Sequence, residues 1–303
     1  MLSNISCLLV LSAVLLWSRA ATTTSTGLQR VWNGNFTAAP LPLKTLRVVD
    51  WNIDRGKRFE KIASALERRQ PDICVLQEVD LFAARSGNRN VAERLARRLK
   101  LNYVFAPGFQ ELGQGSAAKP AFQGQAILTR LPVRAVRVIR FRAQSPFWKP
   151  RPYLPDWSFL QRRLGGRIAL VAELEYAGAP LVVYNAHLES RSFGRIQSLQ
   201  LDEILADARQ HYPESTPIIL AGDLNTKYNP GAFAAALRRA GWTSAFGRRT
   251  PRTHLFVCSL DWLLVRGPLE VRQGKVVHGV GASDHFPIFA SVSPSPPQSA
   301  GTF

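Results

Sequence analysis

Cysteine is scarce in this chain, with three in 303 residues. Cys7 lies in an N-terminal apolar run without lipobox-like residues on its left, which excludes lipid attachment there. Cys74 and Cys258 stand singly in the strand-like stretches DICVLQE and HLFVCSLDW. No Cys/His cluster has zinc spacing, so a structural zinc module is excluded. Two readings of the pair stay open: free buried thiols, or one disulfide formed in an oxidising compartment. Acidic side chains are short too, with 21 Asp+Glu against 39 Lys+Arg and a formal net charge of +18. Such a charge draws polyanions, whether nucleic acid, anionic lipid or phosphorylated small molecules, and names no chemistry by itself. The apolar run from Ile5 to Trp17 is too short to span a bilayer comfortably.

What is present reads in order along the chain. Residues 1–21 form a signal peptide with a Ser18-Arg19-Ala20 cleavage site, or an uncleaved membrane anchor. The first reading lacks the usual Lys or Arg ahead of the apolar run. Either one places the protein outside the cytoplasm, periplasmic or secreted. Residues 22–43 read as an irregular arm, 44–293 as the folded domain and 294–303 as a disordered tail. At 46% hydrophobic, the chain has enough apolar material for a sizeable core. Phe59, Ile62, Ala63 and Leu66 predict one helix face, ended by Pro71; Val91, Leu95 and Leu99 predict another. Residues 194–210 predict a third helix on Ile196, Leu199, Ile204 and Leu205. Residues 143–165 crowd Pro, aromatic and basic residues together, as an irregular insertion. Its aromatics stack on bases, lie on lipid, or simply pack on the domain.

The same grammar occurs twice. LRVVDWNID with RRQPDICVLQEV runs strand, polar tip, helix, Pro, strand, acid; LVVYNAHLE with TPIILAGDLN does likewise. Two similar αβ halves would bring their polar strand ends to one crevice. Those ends carry Asn52, Asp54, Glu78, Asn185, His187, Asp223, Asn225, Asp261, Asp284 and His285. Each alone suits a turn or a helix cap. Together, carboxylates and amides suit a hard cation, Mg²⁺ or Mn²⁺. Imidazoles add acid–base capacity near neutral pH. The sum points to metal-assisted hydrolysis of a phosphate ester.

The motifs DWNID (50–54), LQEV (76–79), GQAILTR (124–130), NAHLES (185–190), AGDLN (221–225), LDWLLV (260–265) and SDHFPI (283–288) occur in one order. In that order the chain resembles the endonuclease/exonuclease/phosphatase superfamily, the deoxyribonuclease I-like phosphohydrolases, over residues 44–293. The resemblance implies an α/β, four-layer αββα sandwich with two packed mixed sheets. It implies a metal held by Asn52, Asp54, Glu78 and Asp284. It implies catalytic roles for His187, Asp223, Asn225 and the Asp261–His285 pair, and substrate contacts from Gln125, Arg85 and Asn185. Gln125 stands where Asn is commoner in the family, and no motif places a carboxylate partner for His187. The partner implied is a phosphate ester, first a nucleic acid, with a phosphorylated lipid or small molecule as the alternative and a non-catalytic binding protein as the remote one. An anionic membrane surface is a further partner; no protein partner follows, and the chain is read as a monomer.

Overall fold

The computed structural model describes residues 27–37, 43–146, 163–256 and 259–295. The expected leader, most of the 143–165 insertion, Cys258 and nearly all of the tail lie outside the described residues. In chain order the strands are β1 (Trp32–Gly34), β2 (Leu46–Arg55), β3 (Ile73–Leu81), β4 (Asn102–Glu111), β5 (Phe122–Thr129), β6 (Val133–Arg140) and β7 (Arg163–Gly165). There follow β8 (Ile168–Tyr176), β9 (Ala179–His187), β10 (Ile218–Asp223), β11 (Thr243–Ser244), β12 (Asp261–Arg266), β13 (Leu269–Val276) and β14 (Ile288–Pro294). The helices are α1 (Phe59–Arg69), α2 (Val91–Leu99), α3 (Arg195–His211) and α4 (Pro230–Arg239).

One sheet runs β1-β4-β5-β3-β2-β14-β13, with β7 added beside β4; the other runs β11-β12-β10-β9-β8-β6. The two sheets pack face to face, and helices cover the outer faces, which is the expected four-layer sandwich. Strand alternation builds it. In β2, Leu46 and Val48 enter the core between the sheets, while Val49, Trp51 and Ile53 pack on α1 and α2. In β9, Leu181 and Val183 face inward, and Val182, Tyr184 and Ala186 meet the layer of α3 and α4. The repeated grammar also has its counterpart. β2 and β3 pair in parallel across α1, and β9 and β10 pair in parallel across α3. A parallel pair needs such a crossover.

Two local expectations are revised, and one open reading is decided. The arm is not wholly irregular: β1 joins β4, and Trp32 packs against Phe105 and Phe122. α3 buries Gln197 and Gln200 and leaves Leu199 half exposed. The reason is that Gln200 spans two backbones, accepting from Glu189 N at 2.8 Å and donating to Ala143 O at 2.7 Å. Cys74 is a free, fully buried thiol, and burial pushes its pKa up and keeps it inert. No described helix is long and apolar enough to cross a membrane.

Candidate active site

Each inner-face stripe changes character toward one end of its strand. In β2, Leu46 and Val48 are followed by Asp50 and Asn52; in β9, Leu181 and Val183 by Asn185 and His187. In β10, Ile219 and Ala221 lead to Asp223, and across the ladder Asp223 pairs with Asp261 of β12 and His187 of β9. The apolar core therefore grades into a polar floor and then into a buried cluster at the strand ends. Gly222 permits the close approach. Its φ is +145°, and a Cβ there would stand 1.9 Å from Ala186 O.

Asp223 is the hub of the cluster. Its Oδ2 accepts from Asn52 Nδ2 at 3.1 Å and lies 3.4 Å from His187 Nε2 and 3.7 Å from His285 Nε2. His285 Nδ1 lies 2.9 Å from each Asp261 oxygen. Asp261 is fixed in turn, because Thr253 Oγ1 accepts from the backbone N–H of Leu260 and of Asp261. Burial raises the Asp223 carboxyl to about 6, with His285 opposing and Asp261 adding. Burial opposes charge on His285, but the Asp261 and Asp223 carboxylates outweigh it and raise the imidazole to about 10. His187 goes the other way. Burial, then the positive charges of Arg167 and His285, hold it well below its ordinary value, so it is neutral. The carboxylate beside His187 is Asp223; Glu189 instead accepts from the backbone N–H of Ser190 and Arg191.

The residues assigned to metal have different partners. Arg55 reaches both Asp54, at 2.6 Å, and Glu78, at 3.3 Å, while Gln123 donates to Glu78 at 3.4 Å. Asp54, Arg55 and Glu78 all have left-handed backbone, at β-bulges that break the β2–β3 and β3–β5 register. Bulges there re-aim side chains toward the crevice. Glu78, Asp54 and the amide oxygen of Asn52 offer only hard oxygen donors, and a divalent cation of the Mg²⁺ type fits that set. Asp284 has its Oδ2 3.3 Å from His254 Nε2, and that bond holds its carboxyl well below the usual range; Ser283 Oγ donates to Asn52 O and lies 3.3 Å from Asp284 Oδ1. Among the described residues, two groups, His254–Asp284–His285 and Asp223–Asp261–His285, have ligand atoms within 4.8 Å of one another. Their rings are already engaged: His254 Nδ1 accepts from Phe256 N, and His285 Nδ1 faces Asp261.

The three residues expected to touch substrate have other partners. Asn185 is fully buried between the sheets. Its amide donates to Leu76 O and Ala126 O and accepts from Gln77, so it is a strut joining the two sheets. It lies one pleat deeper than His187, which is why substrate cannot reach it. Gln125 is buried and donates to Ile168 O. Arg85 forks onto both Asp80 oxygens at 2.8 Å and reaches Glu111, tying β3 to β4. Asn225 donates from its side chain to Leu188 O and from its backbone to Asp223 Oδ1, so it braces the loop beside the cluster.

Sequence reading passed over several residues here. Arg167, at the start of β8, is buried and close enough to Glu189, Glu78 and Asp223 to feel their charge. Burial lowers its pKa, and those three acids oppose the change. Arg163 reaches Gln123, which reaches Glu78. Asp50 sits in the floor below Asn52, held by Gln77, and burial together with Asp261 keeps its carboxyl well above the ordinary range. His254 packs edge-on against His285 with ring centroids 4.7 Å apart.

A family model described as "Endonuclease/Exonuclease/phosphatase family" matches residues 51–285. No curated protein sequence matches the chain. Among solved structures, an endonuclease/exonuclease/phosphatase from Beutenbergia cavernae DSM 12333 is 18% identical, with TM-score 0.61 over 84% of this chain and 72% of that one. The human Nocturnin catalytic domain with bound sulfate anion is 19% identical, with TM-score 0.61 over 88% of this chain and 98% of that one. D. rerio TDP2 complexed with single strand DNA product is 19% identical, with TM-score 0.57 over 83% of this chain and 100% of that one. At such identities the neighbours establish the fold, and the family model establishes the kinship. This chain belongs to the endonuclease/exonuclease/phosphatase family, and is a phosphoester hydrolase of that fold.

Proposed function

We propose that this protein is an exported nuclease that hydrolyses phosphodiesters of nucleic acid with Mg²⁺ or Mn²⁺. The observation that carries the reading is the buried cluster in which Asp223 meets Asn52, His187 and His285, with Asp261 behind His285. Net charge of +18 supports a polyanionic substrate. The D. rerio TDP2 structure with a single-strand DNA product supports it by kinship of fold. Export rests on the sequence of residues 1–21 alone.

The chemistry follows from two unlike groups in one site. Asp223, with a pKa of about 6, is the base for water in the crevice. As the water oxygen bonds to phosphorus and the bond to the leaving oxygen breaks, one water proton passes to Asp223. His285, charged between Asp261 and Asp223, gives a proton to the leaving oxygen. Neutral His187 and buried Arg167 line the same pocket; Arg167 supplies fixed positive charge for the phosphoryl oxygens. A cation held by Glu78, Asp54 and the Asn52 oxygen, when bound, neutralises phosphoryl charge and polarises water.

Purified protein offered plasmid DNA, RNA, sphingomyelin and a bis-aryl phosphodiester, each with Mg²⁺ and with EDTA, tests the reading. Metal-dependent cleavage of a nucleic acid is expected. Turnover of the lipid or the small diester alone would replace it with the phosphatase or phospholipase-type alternative.

A further inference from the structure

Two of the most exposed aromatic side chains stand together on the loops that follow the site strands β9 and β10. The loop leaving β9 after His187 carries Phe193, and the loop leaving β10 after Asp223 carries Tyr228. Their ring centroids are 5.1 Å apart with planes at 44°. Phe193 is 82% exposed and Tyr228 46%. Lys227 holds its ammonium 5.2 Å from the Tyr228 ring centre. Phe193 also has φ +49°, left-handed backbone that a bulky L-residue rarely adopts. The surroundings hold that conformation in place: Ser192 Oγ accepts from Ile196 N, and Asn229 caps α4 from Ala232 N. Strain of this kind, spent on pushing a phenyl ring into water, marks a functional position.

We propose that Phe193 and Tyr228 form a stacking platform for an unpaired nucleobase next to the scissile phosphate of a single-stranded nucleic acid. The inference rests on the nuclease reading and deepens it. Both loops leave strands that end in the cluster residues His187 and Asp223, so a base held there belongs to the nucleotide whose phosphate enters the cluster. Stacking needs an open π-face, which Phe193 provides, and a cation beside it to meet the backbone, which Lys227 provides. The pair offers two rings rather than a broad apolar surface, with the Lys227 ammonium beside Tyr228. That setting suits a base on a phosphate chain better than an acyl bilayer.

The test uses the full chain in EDTA, where an oligonucleotide remains uncleaved. A single-stranded DNA carrying one 2-aminopurine should bind with quenched fluorescence at one position. Phe193→Ala with Tyr228→Ala should weaken binding roughly tenfold or more and abolish the quench, while Phe193→Trp should keep both. Both substituted side chains are exposed, and an unchanged Tm would confirm folding. Equal affinity and equal quench in the double variant would overturn the platform while leaving nuclease activity intact. Failure of the wild type to cleave any nucleic acid would overturn the nuclease reading and the platform together. Binding of wild type, but not of the double variant, to phosphatidylserine vesicles without any DNA quench would show that the rings meet a membrane instead.

Discussion

His285 Nδ1 lies 2.9 Å from both oxygens of Asp261, so one carboxylate fixes which ring nitrogen carries the inner proton. Nε2 is thereby left facing Asp223 and the crevice. The two residues are 24 apart in the chain: Asp261 opens β12, and His285 precedes β14. Trp51 seats the histidine by donating from its indole to His285 O at 3.0 Å.

Asp261→Asn should keep the fold and lose the charge. Its amide offers one oxygen and an NH2 group, so the imidazole is free to take the unproductive tautomer. The rate should drop on the order of 10²-fold or more, by analogy with other oriented imidazoles. The loss of negative charge should also move the His285 pKa down from about 10 toward its ordinary value. The alkaline limb of the kcat/KM profile should then begin at lower pH, and a ring-proton NMR titration in EDTA should show the same shift. An unchanged alkaline limb would separate His285 from the reaction.

The same pair predicts a pH dependence of stability. His285 is raised in the folded state from about 6.5 to about 10. Its contribution is fully present below the unfolded value and is lost as pH rises between the two. Asp223, raised to about 6, acts in the same direction at lower pH, since its folded form prefers the proton. Denaturant midpoints measured in EDTA should therefore fall between about pH 6.5 and 10, and His285→Ala should flatten that fall. A midpoint that rises over this window would contradict the charged state of His285.

Glu78 and Asp54 now share Arg55, a monovalent cation where the reaction calls for a divalent one. Glu78→Gln keeps the shape and removes one of two carboxylates. Calorimetric titration with Mn²⁺ should show affinity weakened by at least tenfold, with activity lost in parallel. Wild-type activity should vanish in EDTA and return with excess Mg²⁺. Unaltered Mn²⁺ binding in Glu78→Gln would move the site to the Asp223 or Asp284 groups.

Much of the fold and the outline of the crevice could be read from alternation alone. Leu46, Val48, Asp50 and Asn52 share one face of β2, and the switch from apolar to polar marks where the core ends. What alternation does not give is depth. Asn185 and His187 share a face and a motif, yet one pleat separates a strut from a reactive group. Arg167 was missed for a different reason. It stands just before β8 outside any polar strand tip, and the packing of β8 beside β9 brings it near Glu189 and Asp223. His254 belongs to a loop that bridges to His285, which no local pattern encodes. The resemblance implies a substrate contact from Arg85, whereas two buried acids on β3 and β4 claim it.

The depth argument makes its own prediction. Asn185→Ala removes the amide that serves Leu76 O, Ala126 O and Gln77 in the dry space between the sheets. Each orphaned buried group costs about 1–3 kcal/mol. The variant should therefore lose stability on that scale or more, seen as a lower denaturant midpoint with an unchanged slope. Where enough folded protein remains, KM should stay near wild type, because no substrate atom reaches that level of the core. Arg167→Met is the counterpart at the crevice. It keeps the volume, removes the fixed charge, and should raise KM or lower kcat on the order of 10²-fold. It should also let the His187 pKa rise, since Arg167 follows burial among the causes that depress it. If Asn185→Ala raised KM with stability intact, while Arg167→Met left kinetics untouched, the order of layers from core to crevice would have to be reversed.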